Sequence, residues 1–168
     1  MHVLGIYDRM LTMKVKYRKP LIAEFLEMGK VANKATFHAN KKIFPRHIYR
    51  RASAPETCFQ DFFEDGSIGR CRIAEINQKI VGVCFLGKNY LGSLYVLPEY
   101  QGKGIGNRLL QWAEDRARKY GFIECHAEMS SVSFYTNKKW KIISVKTTLI
   151  ANRGNLPLVE MKKILKGK

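Results

Sequence analysis

The sequence predicts a single α+β domain built around a mostly antiparallel sheet, and three observations carry that prediction. Three short apolar strands joined by tight turns fill residues 70–97, a long amphipathic helix follows almost directly, and two more strands around an Asn-Arg-Gly-Asn turn close the chain. The chain has 168 residues, of which 46 % are apolar, enough for one domain with a full core.

Each element has its own justification. Met13 to Arg18 alternates apolar and basic residues, which suits a first strand; Met1 to Thr12 stands before it as an N-terminal extension, and the domain proper spans 13–168. Pro20 sits where a helix can begin. Leu21, Ile22, Phe25, Leu26 and Met28 follow at helical spacing, and Val31, Ala32 and Ala35 continue the face until it frays into a basic run. Pro45 to Phe63 reads as a second, weaker helical region broken at Pro55. Past Gly66 and Gly69 the pattern turns to strands: Arg70 to Ile76, a turn at Asn77-Gln78, Ile80 to Leu86, a turn at Gly87-Lys88-Asn89, and Tyr90 to Leu97. Gly104 to Tyr120 is the strongest helix, with Ile105, Leu109, Ala113 and Ala117 down one side and Gly121 as its stop. A strand, a short helix, and an antiparallel pair over Lys141 to Leu149 and Leu156 to Leu165 complete the order.

Composition excludes several function classes. The longest apolar run, Ile80 to Gly87, is far too short to span a bilayer, and Asp8 and Arg9 interrupt the place where a secretion signal needs its apolar stretch. The expected location is the cytoplasm, with no membrane partner. Cys58, Cys71, Cys84 and Cys125 show no C-x-x-C spacing and pair with none of the four histidines at metal-ligand spacing, so reduced, buried thiols and no metal are expected. The net charge of +16 is concentrated: Lys34 to Arg51 holds six Lys or Arg and no acid, and Lys138 to the end holds nine against the single Glu160. Such a field attracts polyanions. No aromatic-basic readout motif accompanies it, so a nucleic-acid partner ranks below a phosphate-bearing small molecule.

The most informative stretch is Leu94-Tyr95-Val96-Leu97-Pro98-Glu99-Tyr100-Gln101-Gly102-Lys103-Gly104-Ile105-Gly106-Asn107. An apolar strand stops at a proline, passes through three glycines at alternate positions, and enters a helix. Glycines let backbone N–H groups approach an anion, and the unpaired N–H groups and dipole of the helix start favour negative charge at the same spot. Two familiar phosphate loops fail here. The dinucleotide fingerprint G-x-G-x-x-G finds its last glycine one residue early, at Gly106, and the triphosphate loop needs Ser or Thr after Gly-Lys, where this chain has Gly104.

Gln101, Gly104 and Gly106 do fit the Gln/Arg-x-x-Gly-x-Gly/Ala signature, and in this the chain resembles the GNAT (GCN5-related N-acetyltransferase) family. The resemblance continues through Phe122 to Ala127 and through Ser131-Val132-Ser133-Phe134-Tyr135, and covers the chain from about Ile73 to the C-terminus. One departure stands at Lys139, where the family has the glycine of Gly-Phe. The resemblance implies the GNAT fold, a mixed, mostly antiparallel sheet of about six to seven strands flanked by about four helices. It implies acetyl-CoA as co-substrate. The pyrophosphate would lie on Gln101, Gly102, Lys103, Gly104, Ile105, Gly106 and Asn107, and the pantetheine arm would pair beside Leu94, Tyr95 and Val96, with Ser131 close to it.

By the same resemblance Tyr135 is the general acid toward the departing thiolate, since a phenol is protonated at neutral pH. Glu128 stands where relatives more often carry Asn. No carboxylate lies on the Tyr90 to Leu97 strand to act as a base, and Glu99 is close to the expected phosphates. His126 alternates with Cys125 and Ala127 and reads as a half-buried strand residue, so proton removal falls to water and backbone carbonyls. Asp61, Glu64 and Asp65, with Glu56 nearby, form an acidic cluster that could receive a cationic amine. The expected activity is N-acetylation of a primary amine, on a small molecule or on a protein N-terminus or lysine, by direct attack in a ternary complex. The absence of a cysteine on the loop or beside Tyr135 argues against a covalent intermediate. The rival readings are a silent module of the same fold that binds coenzyme A or nucleic acid, and an acyltransferase using another acyl group or an O-linked acceptor. A monomer and a homodimer are both compatible with the sequence.

Overall fold

The computed structural model describes residues 14–43, 70–150 and 154–166. Among these, seven strands form two sheets and three α-helices flank them. The first sheet runs β1 (Lys16–Arg18), β2 (Cys71–Ile76), β3 (Lys79–Leu86), β4 (Leu91–Val96) in that order, all antiparallel. The second holds β5 (Phe122–Glu128), β6 (Lys141–Ile150) and β7 (Gly154–Ile164) in the order β5-β7-β6, also antiparallel. The helices are α1 (Phe25–Asn40), α2 (Ile105–Ala117) and α3 (Val132–Thr136). This is the GNAT fold with three helices described rather than about four; the Pro45 to Phe63 region lies outside the described residues.

The first strand is shorter than the alternation suggests, and Ile22–Glu24 forms a 3-10 turn before α1 begins. Arg18 explains the entry. Its guanidinium donates to Glu24 at 2.5 and 2.8 Å and to Glu75 through Nε at 2.7 Å, tying the start of α1 to β2. The hydrogen bonds from Arg18 hold the Glu24 carboxyl below its ordinary pKa. At the other end α1 runs on through Thr36 to Asn40, past the apolar face, because both polar residues are themselves buried.

The β2–β3 hairpin turns at Asn77 and Gln78, with φ of 48° and 62° and Ile76 opposite Lys79, so the pair acts as a two-residue turn of the kind that matches strand twist. Strand β3 is buried at five consecutive positions, Ile80 to Cys84, which requires cover on both faces; α1 and α2 are the helices packed on it. A Cβ on Gly82 would stand 3.0 Å from Leu109 and 3.2 Å from Ile105, so this glycine lets α2 approach the sheet, and α1 covers the other face. The core joins Phe25, Met28 and Val31 of α1 to Ile73, Val83 and Leu109 and onward to Ile123 and Met161.

Among the described residues, strand pairing joins the two sheets at one place. Tyr90 bridges Glu124 in parallel, and the Glu124 N–H donates to the Asn89 carbonyl at 2.9 Å. Beyond that bridge β4 and β5 run in the same direction without further pairing among the described residues, so the seam between them opens toward their C-terminal ends.

Candidate functional site

The open seam and the glycine loop share one end of β4. The Leu97 N–H donates to Val81 across the ladder at 2.9 Å, so Leu97 and Tyr95 direct their backbone groups at β3, and the period-two alternation turns those of Leu94 and Val96 toward the seam. Leu94 and Val96, two of the three strand positions expected beside a pantetheine arm, therefore direct their backbone groups away from β3. Val96 confirms the direction, because its carbonyl accepts from Gln101 Nε2 at 2.9 Å rather than from β3.

After β4 the chain makes a 3-10 turn over Pro98–Tyr100 and enters the loop. Gly102 and Gly104 have φ of 75° and 80°, in the left-handed region that favours glycine. A Cβ built on either would meet nothing within 4 Å. The space over these residues is open, as a phosphate cradle requires. The first helical bond of α2 runs from the Arg108 N–H to the Gly104 carbonyl at 3.1 Å, which leaves the N–H groups of Ile105, Gly106 and Asn107 without helical acceptors. None of the hydrogen bonds of the turn uses the N–H groups of Gly102, Lys103 or Gly104. Gly106 serves a different purpose from its neighbours: it lies inside the helix, and a Cβ there would touch Phe134 at 3.6 Å and Val96 at 3.7 Å, which is ordinary packing. Lys103 lies over the Tyr100 ring at 5.3 Å, beside the loop.

Glu99 is an exposed ion-pair partner. Lys34 Nζ lies 2.8 Å and Lys79 Nζ 3.7 Å from its Oε1, and the hydrogen bond from Lys34 holds the carboxyl below its ordinary range.

Tyr135 is 6 % exposed on α3, between the Phe134 and Trp140 rings at centroid distances of 5.2 and 5.1 Å. Burial pushes its phenol well above the ordinary pKa of 10, with Cys125, Cys84, Tyr95 and Tyr90 adding to the effect. It therefore stays protonated throughout the neutral range. Its backbone is fixed as well: the Tyr135 carbonyl accepts from the Lys138 and Trp140 N–H groups at 2.9 and 3.2 Å, and Lys139 takes a φ of 66° to make that turn. The lysine thus adopts the left-handed backbone that a glycine would enter at lower cost. Ser131 donates its hydroxyl to the Glu128 carbonyl at 2.9 Å, closing the turn from β5 into α3.

His126 corrects the sequence reading. It is exposed rather than half-buried, because Cys125 and Ala127 take the core face of β5 and turn it outward. Its Nδ1 lies 3.1 Å from the Tyr90 hydroxyl. Glu128, on the same face of β5, accepts from Asn40 Nδ2 at 2.5 Å. Thr36, Asn40 and Tyr90 were not singled out by sequence reasoning; the signal for the first two was that the helical face of Met28 and Ala32 continues at four-residue spacing into Thr36 and Asn40. Asp61, Glu64 and Asp65 lie outside the described residues, as does Cys58. Cys71, Cys84 and Cys125 are buried free thiols, and no metal-binding cluster exists among the described residues. No described helix is long and apolar enough to cross a membrane.

A depression of about 610 Å3, lined among others by Arg70, Lys88, Trp112 and Lys119, lies along α2 away from its glycine end. The glycine loop and the open edge of β4 lie elsewhere, where a Cβ on Gly106 would meet Phe134, the neighbour of Tyr135, at 3.6 Å and Val96 at 3.7 Å.

Residues 34–138 match the family model described as the acetyltransferase (GNAT) family. The chain belongs to the GNAT acetyltransferases. Among curated proteins none matches it in sequence. Solved GNAT structures share its fold. A GCN5-related N-acetyltransferase from Rhodopseudomonas palustris superposes with a TM-score of 0.73 at 18 % identity, covering 92 % of this chain and 98 % of its own. The PaiA N-acetyltransferase of Thermoplasma acidophilum, solved with coenzyme A, gives 0.63 at 21 % identity over 90 % and 99 % of the two chains. YncA of Salmonella typhimurium, a putative acetyltransferase solved with acetyl-CoA, gives 0.67 at 19 % identity over 92 % and 96 %. The chain has an open glycine loop, a β4 edge that pairs with β5 only at the Tyr90 bridge among the described residues, and a buried tyrosine on α3.

Proposed function

We propose that this protein transfers the acetyl group of acetyl-CoA to a primary amine by direct attack within a ternary complex. The observation that carries the reading is the continuity of the open cradle at residues 102–107 with the unpaired edge of β4. The cradle suits a pyrophosphate, and the backbone of Leu94 and Val96 suits an amide-bearing arm laid along the seam. A thioester carried down that seam has backbone N–H groups to receive the charge that develops on its oxygen.

The amine lone pair adds to the thioester carbonyl carbon, the C–S bond breaks, and the electron pair leaves on sulfur. Tyr135 donates its proton to that thiolate, and the excess proton on nitrogen leaves through water and backbone carbonyls. The buried free cysteines take no part, as their thiols are held protonated by burial.

The test is thiol release from acetyl-CoA over a panel of polyamines, aminoglycosides and short peptides, with the acetylated product identified by mass. Release matched to acetylated amine is expected. Retention of coenzyme A with no release on any amine would instead make the protein a binding module of the same fold.

A further inference from the structure

Two hollows lie along the flank of α2 that faces away from the seam, and they meet at Trp112 and Asp115. The larger, of about 610 Å3, is the depression described above. The second, of about 300 Å3, takes in Tyr17, Arg72, Arg108 and Gln111.

Helix geometry separates this flank from the glycine loop. Gly106 faces Val96 and Phe134 on the seam side. Arg108 is turned about 200° from it, and Trp112, Arg116 and Lys119 follow Arg108 at three- and four-residue spacing, so the four form one stripe of about 17 Å. The sheet order β1-β2-β3-β4 sets β1 and β2 farthest from the seam, and it is Tyr17 of β1 and Arg72 of β2 that share the second hollow with the stripe.

The surface is basic and flat-ringed at once. Arg70, Arg72, Lys88, Arg108, Arg116 and Lys119 line the two hollows. Among the described residues lining them the one carboxylate is Asp115, and Arg118 Nη2 holds it at 3.0 Å. The Arg116 guanidinium lies over the Trp112 ring at 5.1 Å, Lys119 Nζ lies over the Tyr120 ring at 5.0 Å, and Tyr17 stands in the same hollow as Arg108. No contiguous basic-aromatic motif marks this in the sequence, because the residues come from β1, β2, the turn after β3, and α2 with the turn that continues it.

Cations alone suit any polyanion, and the rings narrow the choice. A lipid surface calls for protruding apolar side chains, an acidic peptide has no planar faces to stack, and a duplex keeps its bases stacked on one another. A single strand presents phosphates in a row with free base faces between them. We propose that this flank of α2 binds single-stranded nucleic acid, its cations tracking the phosphates while Trp112 and Tyr120 stack on bases. Binding here does not depend on acetyl transfer.

The test titrates the protein into fluorescein-labelled RNA and DNA strands of about 12 nucleotides, within the site size of one single-strand-binding domain. The same RNA as a duplex and phosphatidylserine vesicles serve as comparisons. At least one single strand should bind more tightly than either, and log K should fall on log salt with a slope of about −4, the value for six phosphates at about 0.7 each. Arg116→Gln with Lys119→Gln should reduce that slope by about 1.4. An unlabelled strand should quench the fluorescence of Trp112, since Trp140, the other tryptophan, is only 2 % exposed. Trp112→Leu should weaken binding about 5- to 100-fold, whereas Trp112→Phe should keep the affinity and lose the quench. The charge pair and Trp112→Phe decide the matter if Trp112→Leu does not fold. Saturating coenzyme A should leave strand affinity within about twofold. Failure of both strands to bind at about 50 mM salt, an unchanged slope in the charge variant, no quench, or equal binding of the duplex or the vesicles would each overturn the proposal. So would displacement of the strand by coenzyme A, because the strand would then lie on the glycine loop.

Discussion

Gln101 reaches back to the Val96 carbonyl, its Nε2 lying 2.9 Å from the oxygen, and so joins the loop to the β4 edge that faces the seam. The carbonyl it occupies points away from β3, and without it the loop has no side-chain tie to β4 at this position. Gln101→Ala should therefore leave the melting temperature nearly unchanged but weaken coenzyme A binding about 3- to 10-fold, the range of one hydrogen bond worth about 0.5–1.5 kcal/mol. Gln101→Glu should be worse, since it places a carboxylate against a carbonyl and beside the expected phosphates. Titration calorimetry of the two variants gives the order, and equal affinities would show that the tie is incidental.

The glycines of the loop separate into two kinds. Gly104 has φ of 80° and open space around it, so Gly104→Asp meets no steric obstacle but pays the left-handed penalty of about 1–2 kcal/mol and sets a negative charge over the cradle. The fold should survive and coenzyme A binding should be lost, because charge-assisted contacts worth about 1.5–3 kcal/mol each disappear together. Gly106→Ala should bind coenzyme A almost as the parent does, since its Cβ would make only ordinary contacts with Phe134 and Val96. Unchanged affinity in Gly104→Asp would remove the cradle from the site.

What was legible in the sequence is what local chemistry determines. The turn at Asn77-Gln78, the stop at Gly121, the loop glycines and the helix face of Ile105, Leu109, Ala113 and Ala117 all appear in the structure where the residues placed them. The outward turn of His126 follows from which face of β5 meets the core, and that choice is settled by packing against α2. The seam is a relation between strands separated by a helix, and only the tertiary arrangement shows that β4 and β5 pair once and then part. The length of α1 was obscured because Thr36 and Asn40 are polar residues at buried positions, the combination that hydrophobic periodicity cannot register.

The buried thiols make stability depend on alkaline pH. Burial pushes Cys71 and Cys125 up to about 12 and Cys84 higher still, whereas an unfolded thiol titrates at about 8.5. Above that value the unfolded chain loses protons that the folded chain keeps, so stability is fully present below about pH 8.5 and falls as pH rises toward the folded values. Urea midpoints should accordingly decline steadily from about pH 9 upward. A thiol reagent at pH 8 should find at most one of the four cysteines in the native protein, Cys58, and all four after unfolding. Ready native reaction at Cys71, Cys84 or Cys125 would contradict their burial.

Two side chains sit on backbones better suited to glycine. Lys139 at φ 66° and Gln78 at φ 62° each hold a left-handed conformation. Lys139→Gly and Gln78→Gly should each raise stability by about 0.5–1 kcal/mol, partly offset by the greater freedom that glycine gives the unfolded chain. Thermal unfolding measures both. A lower melting temperature for Lys139→Gly would mean that the lysine side chain contributes more than its backbone strain costs.

Tyr135 gives the sharpest separation between packing and chemistry. Its ring lies edge-on to Phe134 and tilted against Trp140, and Tyr135→Phe preserves both contacts while removing only the hydroxyl. Stability and coenzyme A affinity should therefore hold. Turnover of acetyl-CoA should fall by about 10²–10⁴-fold, the range for a lost general acid. The pH profile supplies a second readout. Burial raises the phenol well above 10, so the parent should keep its proton donor on the alkaline side without a decline assignable to tyrosine below pH 10. In the variant, protonation of the thiolate falls to water, and turnover should respond to added general acids such as imidazolium, which would have little effect on the parent. If Tyr135→Phe turns over at the parental rate and ignores added acid, the tyrosine is a packing residue and the leaving thiolate takes its proton from solvent.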